Sequence, residues 1–249
     1  MPDLAIPADL FGTDLLIAAL AVMAAALIRG FSGFGSVLIT APVLSLVWGP
    51  TVGVPIAALI EVVPAIQMTP NAIRMAHWPT AWAMGLPAVV MVPLGSIILL
   101  NAPAEEMRRS IAAIVLLLAL VLWFGWRYRG PRGLIPSGVV GAMGGGLAGA
   151  TGMGGPPAIL YLMSGTNPAA EVRANMVGYF TIIFVGVVIT FGARGLITAD
   201  VLWRIAVMIP IYVIGVVVGT RIFGLASERT FRHIALATLA VSSTWVLLA

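Results

Sequence analysis

Long apolar runs, separated by short turns that carry arginine, constrain this chain more than any other feature. Residues 80–100, 172–191 and 201–218 are each close to the roughly 20 residues that a helix needs to cross a bilayer. Charged residues make up 9% of the chain, whereas a soluble domain carries about 25%. The chain cannot cover a water-facing surface, so we predict an all-α polytopic membrane protein with one transmembrane domain over residues 1–249.

The apolar runs follow the same order in both halves of the chain. The predicted helical runs are 15–28, 36–48, 52–68, 80–100 and 111–126, followed by 134–148, 156–163, 172–191, 201–218 and 233–248. In each half the second run is short. The third run is interrupted by Pro55 and Pro64, and it carries Glu61 between them.

Two glycine-rich stretches occupy matching places in the two halves. Residues 30–35 read Gly-Phe-Ser-Gly-Phe-Gly and residues 149–154 read Gly-Ala-Thr-Gly-Met-Gly, an offset of 149 − 30 = 119 residues. Later landmarks recur as well, since Gly95-Ser96 precedes Gly219-Thr220 by 124 residues. Glu106 likewise precedes Glu228 by 122 residues. We therefore predict a duplicated unit.

The first repeat is predicted over about residues 13–127 and the second over about residues 134–248. If both helices beside a glycine stretch cross the membrane, each half crosses five times; if they form a hairpin, it crosses three times. Both counts are odd, which predicts two inverted structural repeats, each with a glycine-broken helix pair at mid-membrane.

Arginine placement predicts the orientation of the chain. One set of loops holds eight arginines and the opposite set holds four, which favours the first set as cytoplasmic. The first set is Arg74, Arg127, Arg129, Arg132, Arg173, Arg221, Arg229 and Arg232, and the second is Arg108, Arg109, Arg194 and Arg204. Both termini are then expected outside.

Helices broken by glycine at matching places in inverted halves are typical of the substrate site of a secondary transporter. Glycine permits a turn and a close backbone approach, and the helix that follows presents free amides and the positive end of its dipole. Two such helix starts form an anion site. The alternative is that these glycines only permit close helix packing. A hydroxyl residue at the same place in both stretches, and the short helix after each, favour a binding site.

The predicted substrate-binding residues belong to the two stretches and their flanks. They are Arg29, Gly30, Ser32, Gly33, Phe34, Gly35, Ser36, Thr151, Gly152, Met153, Gly154 and Gly155, together with Asn175 near the start of a later span.

Arg29 is the most unusual member of this set. It follows Leu15 by 29 − 15 = 14 residues, roughly 21 Å of helix, which places a permanently charged group inside the hydrocarbon core. Such a charge needs a partner, and the candidates are the substrate anion and Glu61. Because Ala148 stands at the equivalent place in the second half, the fold itself does not require an arginine here. This favours the substrate.

Glu61 is a carboxylic acid inside an apolar run, and ionisable residues at such positions are functional hypotheses. It could carry a coupling proton or act in gating, or it could pair with an arginine. The sequence contains no cysteine, no metal-ligand cluster, no nucleotide-binding loop and no nucleophile–base pair. We therefore predict no enzymatic activity, no cofactor and no metal. The scattered arginines do not form a nucleic-acid-binding patch.

Residues 29–35, Arg-Gly-Phe-Ser-Gly-Phe-Gly, and residues 149–157, Gly-Ala-Thr-Gly-Met-Gly-Gly-Pro-Pro, resemble the paired motifs of the sulfite exporter TauE/SafE family. Length and internal duplication are also similar, so the resemblance covers nearly the whole chain. It implies a bacterial inner-membrane exporter of a small sulfur-containing anion such as sulfite or an organosulfonate. The residues alone leave open a passive anion channel and an uptake permease for a related oxyanion or carboxylate.

Overall fold

The computed structural model describes residues 12–32, 35–124, 128–165 and 168–222. Within these ranges every regular element is an α-helix. The helices are α1 (Thr13–Ser32), α2 (Val37–Trp48), α3 (Pro50–Ile60), α4 (Val62–Met75), α5 (Trp78–Asn101), α6 (Ala104–Trp123), α7 (Leu134–Thr151), α8 (Gly155–Met163), α9 (Ala169–Ala193) and α10 (Ala199–Ile222). Five of them, α1, α5, α7, α9 and α10, are long and apolar enough to cross a membrane. The prediction of an all-α polytopic membrane protein is confirmed.

The predicted runs that lie in the described ranges are helical, with one difference in the third run. Instead of one run over residues 52–68, the chain forms α3 and α4, with Glu61 in the turn between them. Pro55 lies inside α3, so only Pro64 acts as an interruption. Pro64 has no N–H for the carbonyl of Ile60, and its ring would clash with that carbonyl in a continuous helix. The backbone therefore breaks at Glu61.

Several predicted features lie outside the described residues. They are the predicted run 233–248, the loop arginines Arg127, Arg229 and Arg232, and Glu228, the counterpart of Glu106 in the second repeat.

The helices form two compact units. Unit 1 contains α1, α2, α3, α6 and α10, and unit 2 contains α4, α5, α7, α8 and α9. Each unit combines helices of both predicted repeats, because α10 packs against α1 in unit 1 and α5 packs against α7 in unit 2. The repeat boundaries stay a prediction.

Glycines bring the helix backbones of each unit into direct contact. In unit 1, a Cβ atom on Gly30 would overlap the carbonyl oxygen of Val216 and lie 2.9 Å from the nitrogen of Thr220. In unit 2, a Cβ atom on Gly149 would overlap the carbonyl oxygen of Val92 and lie 2.8 Å from the nitrogen of Ser96. Glycine is required at both crossings because any side chain would separate the backbones.

The two crossings use equivalent positions in the two halves. Val216 and Thr220 each follow their counterparts Val92 and Ser96 by 124 residues, the same offset that relates Gly95 to Gly219. A duplicated unit is expected to repeat its packing contacts in this way. The opposite orientation of the two halves stays a prediction.

Candidate functional site

The first helix break lies between α1 and α2 in unit 1. Ser32 is the last residue of α1, Gly33 and Phe34 lie outside the described residues, and Gly35 has a φ of 92°, which favours glycine. The amide of Leu38 donates to the carbonyl of Gly35 at 3.1 Å, and the amide of Thr40 donates to the carbonyl of Ser36 at 3.0 Å. These bonds form the first turn of α2, so the positive end of the helix dipole lies beside Ser36.

Three buried polar side chains meet at this break. Arg29 comes from the last turn of α1, Ser36 precedes α2, and Tyr212 comes from α10; they are 7%, 0% and 1% exposed. Arg29 Nη1 donates to Ser36 Oγ at 3.4 Å. Ser36 Oγ and Tyr212 Oη share a hydrogen bond of 3.0 Å, in which either hydroxyl is able to donate. We call these three residues the Arg29 cluster.

The chemistry of the Arg29 cluster suits an oxyanion. The guanidinium of Arg29 stays charged and offers parallel N–H groups that match two oxygens of one anion. The hydroxyls of Ser36 and Tyr212 supply one further donor, because one of their two hydrogens lies in the bond between them. The N-terminus of α2 adds the partial positive charge of the helix dipole. A cation would be repelled by the same groups.

Tyr212 was not among the residues predicted from the sequence. It lies in the middle of α10, 212 − 199 = 13 residues after the first residue of that helix. Tyrosines of membrane helices are usually found near the membrane interfaces, where the phenol reaches water. A tyrosine at the centre of an apolar helix therefore needs a hydrogen-bond partner inside the protein. The central position of Tyr212 in its apolar run would have identified it as a candidate site residue.

Removing the Tyr212 hydroxyl with Tyr212→Phe is expected to weaken anion binding about threefold to tenfold, the typical contribution of one hydrogen bond. The ring remains, so the melting temperature should change little. Sulfite titration of the purified variant tests this. Thr220→Val is the matched control, because the hydrogen bonds of the Thr220 hydroxyl to the described residues go to carbonyls of its own helix, those of Val216 and Val217. Wild-type affinity of the Phe variant would contradict a role for Tyr212.

The second helix break, between α7 and α8 in unit 2, has a different chemistry. Gly152 ends α7 in the left-handed conformation, with a φ of 75°, and its amide donates to the carbonyl of Ala148 at 3.0 Å. Thr151 Oγ1 donates to the carbonyl of Leu147 at 2.8 Å and accepts the amide of Met153 at 3.4 Å. The Thr151 hydroxyl thus stabilises the turn itself.

A tyrosine also holds the second break. Tyr179 on α9 donates its hydroxyl to the carbonyl of Gly154 at 3.0 Å, just before α8 begins at Gly155. Pro156 and Pro157 in the first turn of α8 have no N–H to offer an anion. The second break therefore presents fewer donors than the first. That both breaks contribute to one binding site stays a prediction.

Two further predicted site residues lie apart from the breaks in sequence. Asn175 Oδ1 accepts the backbone amide of His77 at 2.6 Å, and the carbonyl of His77 starts α5 by accepting the amide of Thr80 at 3.0 Å. Asn175 thus holds the connection between α4 and α5. Glu61 is 5% exposed in the turn after α3, and its carbonyl accepts the amide of Ala65 at 3.3 Å. Their roles in substrate binding and coupling stay predictions.

Comparison with known families gives one match that covers most of the chain. The family model described as "Sulfite exporter TauE/SafE" matches residues 17–246. The matched range includes both helix breaks and all three residues of the Arg29 cluster. No curated protein and no solved structure matches this chain.

Proposed function

The chain belongs to the sulfite exporter TauE/SafE family, and we propose that it exports sulfite or an organosulfonate across the bacterial inner membrane as a proton-coupled secondary transporter. Membership places it among sulfur-anion transporters, and its apolar helices make it a multi-pass membrane protein. The observation that carries the proposal is the buried Arg29 cluster at the start of α2.

Burial of the Arg29 guanidinium is the first argument for an anionic substrate. An arginine remains charged at any physiological pH, and taking its charge out of water costs several kcal/mol unless charges or hydrogen bonds compensate. The Ser36 hydroxyl lies 3.4 Å from Nη1, a long hydrogen bond to a neutral group. An oxyanion beside Arg29 would add a charge-assisted, bidentate interaction to the contacts that the guanidinium already makes.

The number of donors is the second argument, and it favours sulfur oxyanions. Sulfite and sulfonates present three oxygens on one sulfur atom, whereas a carboxylate presents two in one plane. Arg29, Ser36 and Tyr212 come from three different directions, since they belong to α1, the start of α2 and α10. Three converging donor groups suit a pyramidal head group better than a flat one.

Glu61 is the proposed carrier of the coupling proton. Its side chain is buried, and it lies where the backbone already departs from a regular helix, between α3 and α4. The family description suggests the direction of transport, whereas protons are proposed as the coupling ion because Glu61 is buried.

We expect Glu61→Gln to abolish the pH dependence of transport while the protein stays folded. Glutamine has nearly the same shape, but it cannot release a proton, so an imposed proton gradient should no longer drive uphill movement. Rates in proteoliposomes at acidic and alkaline pH test this, with Glu106→Gln on the exposed first turn of α6 as the control. Unchanged pH dependence would return Glu61 to a structural role.

Transport assays with purified protein test the function as a whole. Proteoliposomes loaded with sulfite, sulfoacetate, taurine, sulfate or acetate should release a sulfite or sulfonate substrate, and a proton gradient should drive it against its own gradient. Flux that never exceeds the substrate gradient would indicate a passive channel. Preference for acetate over every sulfur anion would contradict the proposed substrate class.

A further inference from the structure

A second polar cluster lies at the other end of α2, within unit 1. It is formed around Ser45 and Trp48 in the last turn of the helix, which lie three residues apart and so on the same side of α2. Ser45 follows Ser36 by nine residues, roughly 14 Å along the helix axis. This cluster is therefore separate from the Arg29 cluster.

Two arginines from two other helices reach this end of α2. Arg108 on α6 donates through Nε to the carbonyl of Ser45 at 3.1 Å. Arg204 on α10 places its guanidinium over the ring of Trp48, 4.6 Å from the ring centroid, and is 5% exposed. Both contacts leave the side-chain donors of Ser45 and Trp48 unused.

These two donors are the unexplained feature of the cluster. In the described part of the chain, the buried hydroxyl of Ser45 and the buried indole Nε1 of Trp48 have no hydrogen-bond partner. A buried donor without an acceptor is destabilising, because it has lost its hydrogen bond to water and gained none in return. Native proteins rarely retain such groups unless a water molecule or an ion satisfies them.

The chemistry of the groups points to an anion. An indole N–H and a guanidinium donate hydrogen bonds but cannot accept them, and the Ser45 hydroxyl is also free to donate. Water needs acceptors for its own hydrogens, whereas an oxyanion only accepts. We propose that Ser45, Trp48, Arg108 and Arg204 form a second binding site for a small oxyanion such as sulfate or sulfite.

A carboxylate lies beside each of the two arginines. Asp200 pairs with Arg204 Nε at 2.9 Å, whereas Glu105 lies 3.7 Å from Arg108 Nη1, too far for a hydrogen bond. The Arg108 side chain is 29% exposed, so an anion outside the protein is able to contact it before it reaches the buried donors. Use of the site by the transported anion rests on the proposed function, but the site itself does not.

The test is calorimetric titration of the full-length protein with sodium sulfate and with sodium sulfite. Ser45→Ala combined with Trp48→Phe removes both unused donors and keeps all four charges. We expect the double variant to bind the oxyanion at this site at least about tenfold more weakly. In anion-free buffer its melting temperature should be equal or higher, which separates lost binding from lost folding. Ser110→Ala combined with Trp82→Phe, two exposed positions, is the matched control.

Arg29→Gln distinguishes failure of this inference from failure of the proposed function. On that background we expect one remaining binding event, which the double variant removes. No binding at all to Arg29→Gln would overturn the second site and leave the Arg29 cluster as the only one. If Arg29→Gln bound the oxyanion as the wild type does, and the Ser45→Ala, Trp48→Phe variant lost that binding, the result would support the second site and contradict substrate binding at Arg29.

A lipid phosphate carries the same oxyanion chemistry, so the titration is repeated in two environments. In lipid-free detergent, sulfate should bind, because Ser45 is fully buried and a small free ion reaches it best. In nanodiscs containing phosphatidylglycerol, sulfate should bind with the same affinity. Binding in detergent that phosphatidylglycerol abolishes would overturn the free-ion assignment and identify a lipid head group as the occupant.

Discussion

Replacing Arg29 by lysine is expected to weaken binding of the sulfur anion about tenfold to a hundredfold, while the protein stays folded and inserted in the membrane. Lysine keeps the charge but loses the planar pair of N–H groups that grips two oxygens of one anion. Its ammonium also cannot keep the bond to Ser36 Oγ, which Arg29 Nη1 makes at 3.4 Å, and reach an anion with the same geometry.

Sulfite titration and melting temperatures of purified Arg29→Lys check this expectation. Arg194→Lys is the control, because Arg194 is exposed at the end of α9. This variant should bind substrate as the wild type does. Arg29→Ala and the double variant Arg29→Ala with Glu61→Ala complete the set. Normal binding by the lysine variant, together with rescue of Arg29→Ala by Glu61→Ala, would assign Arg29 to an ion pair instead of the substrate.

The sequence predicted helix positions well because apolar length decides them. The run predicted over residues 80–100 is the helix Trp78–Asn101, although it contains Pro87 and Pro93. Prolines that would break a helix in water are tolerated in apolar spans, where neighbouring helices satisfy the freed backbone groups. Pro64 has the opposite outcome, since the chain breaks at Glu61. Proline content alone does not distinguish these cases.

Two of the three residues of the Arg29 cluster were predicted from the sequence. Arg29 and Ser36 stand beside a recognisable glycine stretch, so local sequence identified them. Tyr212 is 176 residues from Ser36, and only the packing of α10 against α1 brings the two hydroxyls together. The hydrophobic periodicity of a helix shows which of its faces is buried, but it does not show which other helix packs against that face. The partner of Ser36 therefore required the structure.

Close helix packing and the turn at the helix break depend on different glycines of the same stretch. Gly30 and Gly149 lie at helix crossings, as the packing alternative predicts. Gly35 and Gly152 have positive φ angles and form the turns that follow, as a broken helix requires. One glycine in each stretch thus serves packing and another serves the turn. The sequence alone treated each stretch as a single element.

A large loss of stability is expected from Gly145→Ala, at the crossing of α7 with α5. A Cβ atom on Gly145 would overlap the carbonyl oxygen of Ala88 and lie 2.6 Å from its carbonyl carbon and from its Cα. These are backbone atoms, so no rotamer change relieves the overlap, and the two helices must move apart. Close backbone packing is a main source of helix association in membranes. We expect the free energy of unfolding to fall by about 1–3 kcal/mol or more.

The adjacent glycine provides a control with the opposite sign. A Cβ atom on Gly146 meets no heavy atom of the described chain within 4 Å, so Gly146→Ala adds only helix propensity. That change should raise the free energy of unfolding by roughly 0.5–1 kcal/mol. Thermal and denaturant unfolding of the two variants in detergent measure the contrast. Ala88→Gly should not rescue Gly145→Ala, because the overlap is with the backbone of Ala88. Equal stability of the two alanine variants would mean that α5 and α7 do not pack at this distance.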